Sequence, residues 1–342
     1  MEKKAQQKIF KSSIFFLVLV LITFFVFFKN TNIDDIIKII DQVNIKYILI
    51  AILCMATFSL CECINIRRAL ITLGDKPSFF RCLKYAIVGF FFSSITPASS
   101  GGQPMQLYFM QKDGLPIAHS TLALLVELSS FQFITLFLSL TCCIFFNNLV
   151  NQAIGNIKYL FIIGIIINIF ILFFLLMIMF SKKLITKTIN IIEKILKIFK
   201  YSKIEEFHSK MGKHIEEYKR SGEFLLNNKA ILIKTNITTL VQFVLYYSIP
   251  YFVYLSFNLN SHYILEFIAI QAILYTAVSY LPFPGMVGIS EGTFMLMFKI
   301  LFPENILSSA MLLSRGISFY LFVFLTGIII MIISFKMNKN KV

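Results

Sequence analysis

The sequence predicts an all-α fold, a polytopic transmembrane helical bundle with two re-entrant, broken-helix hairpins in inverted-topology halves. Three observations carry this expectation. The chain is 58% hydrophobic but only 14% charged, with a mean hydropathy of +0.80, whereas soluble domains carry about 25% charged residues. It contains seven apolar runs at or near the ~20 residues that span a ~30 Å hydrocarbon core. Two Pro/Gly-rich interruptions, one in each half, break further apolar segments.

The spanning runs are 12–28, 46–66, 121–146, 157–180, 231–257, 263–281 and 306–335. Two shorter apolar pieces, 85–95 and 290–302, each lie beside an interruption. The alternation over about ten residues that marks a membrane barrel is absent, and helices satisfy their own backbone in lipid. The first run is expected to be a retained helix, because Phe27-Phe28-Lys29-Asn30 offers no small-residue cleavage site.

Basic residues orient the bundle. Lys3, Lys4, Lys8 and Lys11 precede the first run, and Arg67, Arg68, Lys76, Arg81 and Lys84 follow the second. The stretch 182–229 carries 12 Lys and Arg against 6 Glu, and Lys336, Lys339 and Lys341 close the chain. The connections 147–156 and 258–262 have no Lys or Arg. The positive-inside tendency therefore predicts a multi-pass protein of the cell membrane with both termini cytoplasmic. The net charge of +15 is explained by this placement, so no nucleic-acid partner is expected.

Parity then constrains the interruptions. The segment 85–120 begins and ends inside, and its apolar pieces are too short to cross, so 85–110 reads as a re-entrant hairpin. Its tip is Thr96-Pro97-Ala98-Ser99-Ser100-Gly101-Gly102-Gln103-Pro104. The segment 263–305 begins and ends outside, with Pro282-Phe283-Pro284-Gly285-Met286-Val287-Gly288 at its turn and a second re-entrant motif over 281–302. The alternative is a pair of ordinary loops between short helices. Broken hairpins in corresponding positions of two halves mark inverted-repeat transporters. One membrane domain over 1–342 is expected: a first half (1–180), a cytoplasmic amphipathic segment (182–229) and a second half (231–335). In the middle segment Ile189, Ile192, Leu196 and Phe199, then Phe207, Met211, Ile215 and Tyr218, recur at helical spacing. That pattern fits a helix on the inner leaflet or a solvated connector.

No phosphate loop, nucleophile elbow or zinc-protease motif is present. Neither a catalytic residue nor a metal or cofactor is expected. The six cysteines read as apolar packing residues, and His208 and His214 as surface histidines. Intramembrane polar groups are costly and therefore informative. Glu291 follows the second turn, where a carboxylate suits the positive end of a helix dipole, or simply caps the helix. Arg315 in the last run needs a partner: Glu291 or a lipid phosphate, whose oxygens match a guanidinium fork. Glu127 is expected to form an ion pair near the inner interface. At the first tip, Thr96, Ser99, Ser100 and Gln103 offer hydrogen bonds to a headgroup. Gly101 and Gly102 permit close backbone approach or serve only packing.

These residues also carry a family resemblance. Thr96-Pro97, Gly101-Gly102-Gln103-Pro104-Met105-Gln106 and Tyr108 resemble the first signature of the lysylphosphatidylglycerol synthase transmembrane (flippase-like) family. Leu281-Pro282, Pro284-Gly285, Gly288 and Glu291 resemble its second, with Met286 where a further glycine is frequent. The resemblance covers essentially the whole chain. In the full-length member such a domain precedes a soluble aminoacyltransferase that charges phosphatidylglycerol with lysine, and the membrane domain carries the product outward. This chain ends directly after the last run, so a membrane domain without the synthase is expected. The resemblance implies a translocase for an anionic or aminoacylated phospholipid or a polyprenyl phosphate. Headgroup contacts are expected from Thr96, Pro97, Ser100, Gly101, Gly102, Gln103, Pro104, Pro284, Gly285, Gly288, Glu291 and Arg315. The alternatives are a phosphatidylglycerol lysyltransferase using lysyl-tRNA, a lipid glycosyltransferase, and an accessory subunit of a separately encoded synthase. A homodimer is left open.

Overall fold

The structure, a computed structural model, describes residues 43–180, 218, 220–225 and 227–339. The first apolar run (12–28) and nearly all of the amphipathic segment (182–229) lie outside the described residues. Among the described residues every regular element is helical. They are α1 (Ile45–Thr72), α2 (Phe79–Ile95), α3 (Gly102–Lys112), α4 (Ile117–Phe145), α5 (Asn147–Ile154) and α6 (Lys158–Phe180). A second series follows: α7 (Lys229–Tyr247), α8 (Ile249–Ser256), α9 (Ile264–Val278), α10 (Ile289–Phe298), α11 (Glu304–Arg315) and α12 (Leu321–Lys339). A π-helical turn, Gly316–Tyr320, joins the last two.

Five helices are long and apolar enough to cross a membrane: Ile45–Thr72, Ile117–Phe145, Lys158–Met179, Lys229–Ser256 and Glu304–Ile333. The run 263–281, long enough to span and expected to lead into the turn at 282–288, is a 15-residue helix, α9, that ends at Val278. It forms one arm of a hairpin whose other arm is α10, just as α2 and α3 form the first hairpin. Both hairpins sit in the interior, α2 against α1, α3 and α12, and α9 against α4, α6 and α10. Outward faces carry large apolar side chains such as Phe145, Phe170 and Ile332, as lipid contact requires.

The two halves repeat one element order: a long helix (α1; α7 with α8), a short arm, a tip, a short returning arm and a long crossing helix (α4; α11 with α12). The register repeats too. Pro97 and Pro284, the helix starts Gly102 and Ile289, and the N-caps Pro116 and Pro303 are separated by the same number of residues. Proline suits these N-caps because its fixed φ turns the chain into the next helix; both sit near φ −58° and ψ 142° to within 2°.

Local chemistry sets the other ends. The Asn44 Oδ1 accepts from the Lys46 N–H at 3.1 Å, and Ser78 Oγ accepts from the Arg81 N–H at 3.4 Å. Where α2, α3 and α4 converge, Lys84 Nζ and Tyr85 Oη both donate to Asp113 Oδ2, at 2.5 and 2.6 Å. Two apolar cores result. One surrounds the α2–α3 hairpin, with Cys63, Tyr85, Phe91 and Met110 fully buried. The other surrounds α9–α10, with Phe267, Ile270, Met297 and Phe298.

Candidate functional site: a cavity between two paired tips

The tips share one backbone shape. After Pro97, Ala98 and Ser99 take left-handed φ values of 49° and 56°; after Pro284, Gly285 and Met286 take 58° and 56°. In the first tip the Ser99 and Ser100 N–H groups donate to Thr96 and Pro97 carbonyls, at 3.2 and 3.1 Å. In the second the Met286 and Val287 N–H groups donate to Phe283 and Pro284, at 3.2 and 3.3 Å. The tips meet through an antiparallel bridge between Pro97 and Pro284. Antiparallel contact of equivalent residues is what a twofold axis relating the two halves produces. Three of the four left-handed residues are not glycine, although left-handed backbone costs an L-residue about 1–2 kcal/mol. Such strain persists only where the surroundings over-determine it, characteristically at functional sites.

Arg315 anchors the second tip. Its Nε donates to Glu291 Oε1 at 2.9 Å and its NH2 group to the Gly285 carbonyl at 3.0 Å. Its guanidinium carbon lies 4.6 Å from the Phe319 ring centroid. Tyr320 Oη donates to the same Glu291 oxygen at 3.1 Å, while Glu291 Oε2 accepts the Gly288 N–H at 2.6 Å. Glu291 is therefore both an N-terminal cap for α10 and the counter-ion of Arg315, and the two roles left open by the sequence coexist. The side chains are 11% and 12% exposed, and the pair is supported by these further hydrogen bonds to Gly285, Gly288 and Tyr320. The π turn that begins at Gly316 carries Phe319 and Tyr320 back over the guanidinium.

Between the tips lies a cavity of about 290 Å³. Its second-half wall includes Gly285, Met286, Ser290, Arg315 and Ser318; its first-half wall includes Ser93, Ser94, Ala98, Ser99 and Gln103. Phe58, Phe131, Phe243 and Tyr275 form an aromatic side, with Phe131 and Phe243 centroids 5.2 Å apart. Tyr280 Oη donates to Gln132 Oε1 at 2.5 Å across it, and Gln271 Oε1 is buried without a hydrogen-bond partner.

Some expected residues are displaced from this cavity. Thr96 does not line it: its Oγ1 donates to the Phe92 carbonyl at 2.6 Å and accepts from the Gly101 N–H at 2.8 Å, stapling the first tip. Ser100, Pro104, Pro284 and Gly288 are exposed, and Pro97 serves the bridge. Gly101 and Gly102 are packing glycines: a Cβ on the first would meet the Thr96 side chain at 2.6 Å, and on the second the Gly89 carbonyl at 2.8 Å. Gln103, Gly285 and Arg315 line the cavity, while Glu291 stands behind Arg315.

Glu127 departs from expectation most. No basic side chain pairs with it among the described residues, and its Oε1 is buried with no hydrogen-bond partner. The reason is its position: it lies in the buried run of α4 from Leu122, away from the polar helix end. Its charged neighbour is another carboxyl, Glu62 of α1. Glu62 lines the cavity and accepts from Gln106 Nε2 at 2.8 Å. Sequence reading missed Glu62, which sits between Cys61 and Cys63 in an apolar run; its one signal was a bare carboxylate at membrane depth.

Comparison with known proteins agrees with this architecture. A UPF0104 membrane protein of Archaeoglobus fulgidus is 23% identical over 322 residues, covering 92% of this chain and 96% of the relative. A UPF0104 membrane protein of Methanocaldococcus jannaschii is 23% identical over 321 residues, covering 91% of each. The sequence profile of the lysylphosphatidylglycerol synthase TM region matches residues 12–326, a stretch that holds both tips, Glu62, Glu127 and Arg315. The chain is thus a multi-pass helical membrane protein that belongs to the lysylphosphatidylglycerol synthase TM region family.

Proposed function

We propose that this protein is a lipid translocase of the cell membrane, with cytoplasmic termini, that passes a phospholipid headgroup through the cavity between its tips. The supporting observation is Arg315, the cation of the cavity wall, held by Glu291 through one guanidinium nitrogen. A lipid phosphate presents two non-bridging oxygens that a guanidinium fork binds as a bidentate pair, as it binds a carboxylate, and can take the place of that carboxylate. The space is at the small end of the ~300–1,000 Å³ of ligand pockets. It suits a headgroup, and leaves the acyl chains in lipid. The tips supply irregular backbone at membrane depth, which is tolerated where it lines a cavity. Anionic or aminoacylated phospholipids, such as lysyl-phosphatidylglycerol, and polyprenyl phosphates fit this chemistry.

The test is headgroup-resolved flipping in proteoliposomes containing labelled phosphatidylglycerol, lysyl-phosphatidylglycerol or undecaprenyl phosphate. Wild type is expected to move one of them. Arg315→Lys, which keeps the charge but loses the fork, is expected to slow movement at least tenfold while retaining its fold. No movement of any lipid by wild type would overturn the reading, and lysyl transfer from lysyl-tRNA would then be measured.

A further inference from the structure

One residue of the cavity wall, Glu62, belongs to a second constellation that headgroup binding does not use. Glu62 is 7% exposed and Glu127 5%. Glu62 Oε1 accepts from Gln106 Nε2, and that same nitrogen donates to the Tyr85 carbonyl at 3.2 Å. Gly89 makes this arrangement feasible: a Cβ there would fall on the Gln106 amide and 3.0 Å from Glu62 Oε1. The amide is thus cradled against the carboxyl by a residue that has no side chain. Glu127 Oε1 is bare.

Neither carboxyl has a cationic partner among the described residues. Most charged and titratable groups around them are engaged or neutral, and Arg67 is an exposed cation of α1 that forms an ion pair with neither carboxyl. On α1, Arg68 donates to Asn65 and Thr238, and Cys63 and Arg67 lie along the helix. On α2, Lys84 and Tyr85 are committed to Asp113, and Cys82 is a buried thiol. On α7, Thr235, Thr239 and Gln242 face inward without charge. Arg315 is held by Glu291. Buried carboxyls in a membrane span that lack a cationic partner are characteristic places for a proton to be held and relayed. The repeat adds an independent pointer: Glu127 takes the place in the first half that Ser314, neighbour of Arg315, takes in the second.

We infer that Glu62, in the cavity wall, and Glu127, buried on α4, form a proton-binding site and that lipid movement is coupled to proton movement through it. This inference rests on the translocase reading. In one cavity state the carboxylic O–H breaks and its proton passes to cavity water on one side, leaving a carboxylate. In the other state the carboxylate takes a proton from water on the opposite side. A proton gradient can bias the lipid only because the two states hold the proton unequally.

The experiment uses proteoliposomes containing the full chain and a labelled lipid shown to move, with the membrane potential clamped. A gradient of one pH unit is expected to shift the leaflet ratio of that lipid about tenfold if one proton moves per lipid. Glu127→Gln is expected to abolish that response. The same ratio with and without the gradient, in a wild type that still moves lipid, would overturn the coupling and leave the translocase reading standing. Movement driven by a sodium gradient alone would also overturn it. Failure of any lipid to move would sink the translocase reading, whereas the proton site has its own readout. Wild type is expected to show the infrared C=O stretch of a protonated carboxyl that Glu127→Gln diminishes, while thermal stability is retained because an unpaired buried carboxyl has been removed. An unchanged band would overturn the site.

Discussion

Gly285 is the residue on which the tip geometry depends most, and Gly285→Ala measures that dependence. Its φ of 58° lies in the left-handed region, which costs an alanine about 1–2 kcal/mol. The new Cβ would also land on the Phe319 ring and 2.8 Å from the Ser94 carbonyl. Forcing a methyl into a filled site costs about 1–3 kcal/mol. The expected loss is therefore about 2–5 kcal/mol, a large part of the ~5–15 kcal/mol that holds a protein folded. Displacing the Gly285 carbonyl also takes an acceptor from Arg315. The matched control is Gly292→Ala, a helical glycine of α10 whose Cβ would meet open space. That change should be neutral or stabilising by up to ~1 kcal/mol. Reversible unfolding in mixed micelles, followed by circular dichroism, compares the two. Equal stability of both variants would refute the argument that the second tip is sterically determined.

The charge pair predicts non-additivity: Arg315→Met and Glu291→Met should each cost about 3–5 kcal/mol by stranding the partner, and the double variant less than the worse single. Additive losses in the same unfolding assay would show that the pair is not a unit. Thr96→Val removes both stapling bonds and should cost about 1–3 kcal/mol. Exposed Ser100→Ala should stay within ~0.5 kcal/mol, and a reversed order would argue against the staple. Asp113→Asn should cost only about 1 kcal/mol, because its ion pair with Lys84 is partly solvated and screened, and raising the salt concentration should narrow the difference from wild type.

Hydropathy and the Pro/Gly breaks made the bundle legible, because lipid leaves the backbone few options. The link from Arg315 to Glu291 was legible for a similar reason: a membrane arginine must be paired, and few acids were available. Parity and the Pro282–Gly288 break made the arm leading to the second turn legible, but not its end at Val278, since 263–281 has a span's composition. The common tip shape was hidden because Ala98-Ser99 and Gly285-Met286 share little chemistry yet adopt one backbone. The Glu62 site was illegible for another reason. Its contacts reach 44 residues along the chain to Gln106 and depend on the side chain that Gly89 lacks.

The bridge joining the tips has a mechanical consequence. Proline carries no N–H, so Pro97 and Pro284 touch without either donating to the other. Each tip meanwhile satisfies its own turns internally. An antiparallel bridge centred on two prolines can therefore be closed only by the residues that flank them. Parting the tips would give up that flanking contact but none of the turn bonds, which each tip makes within itself.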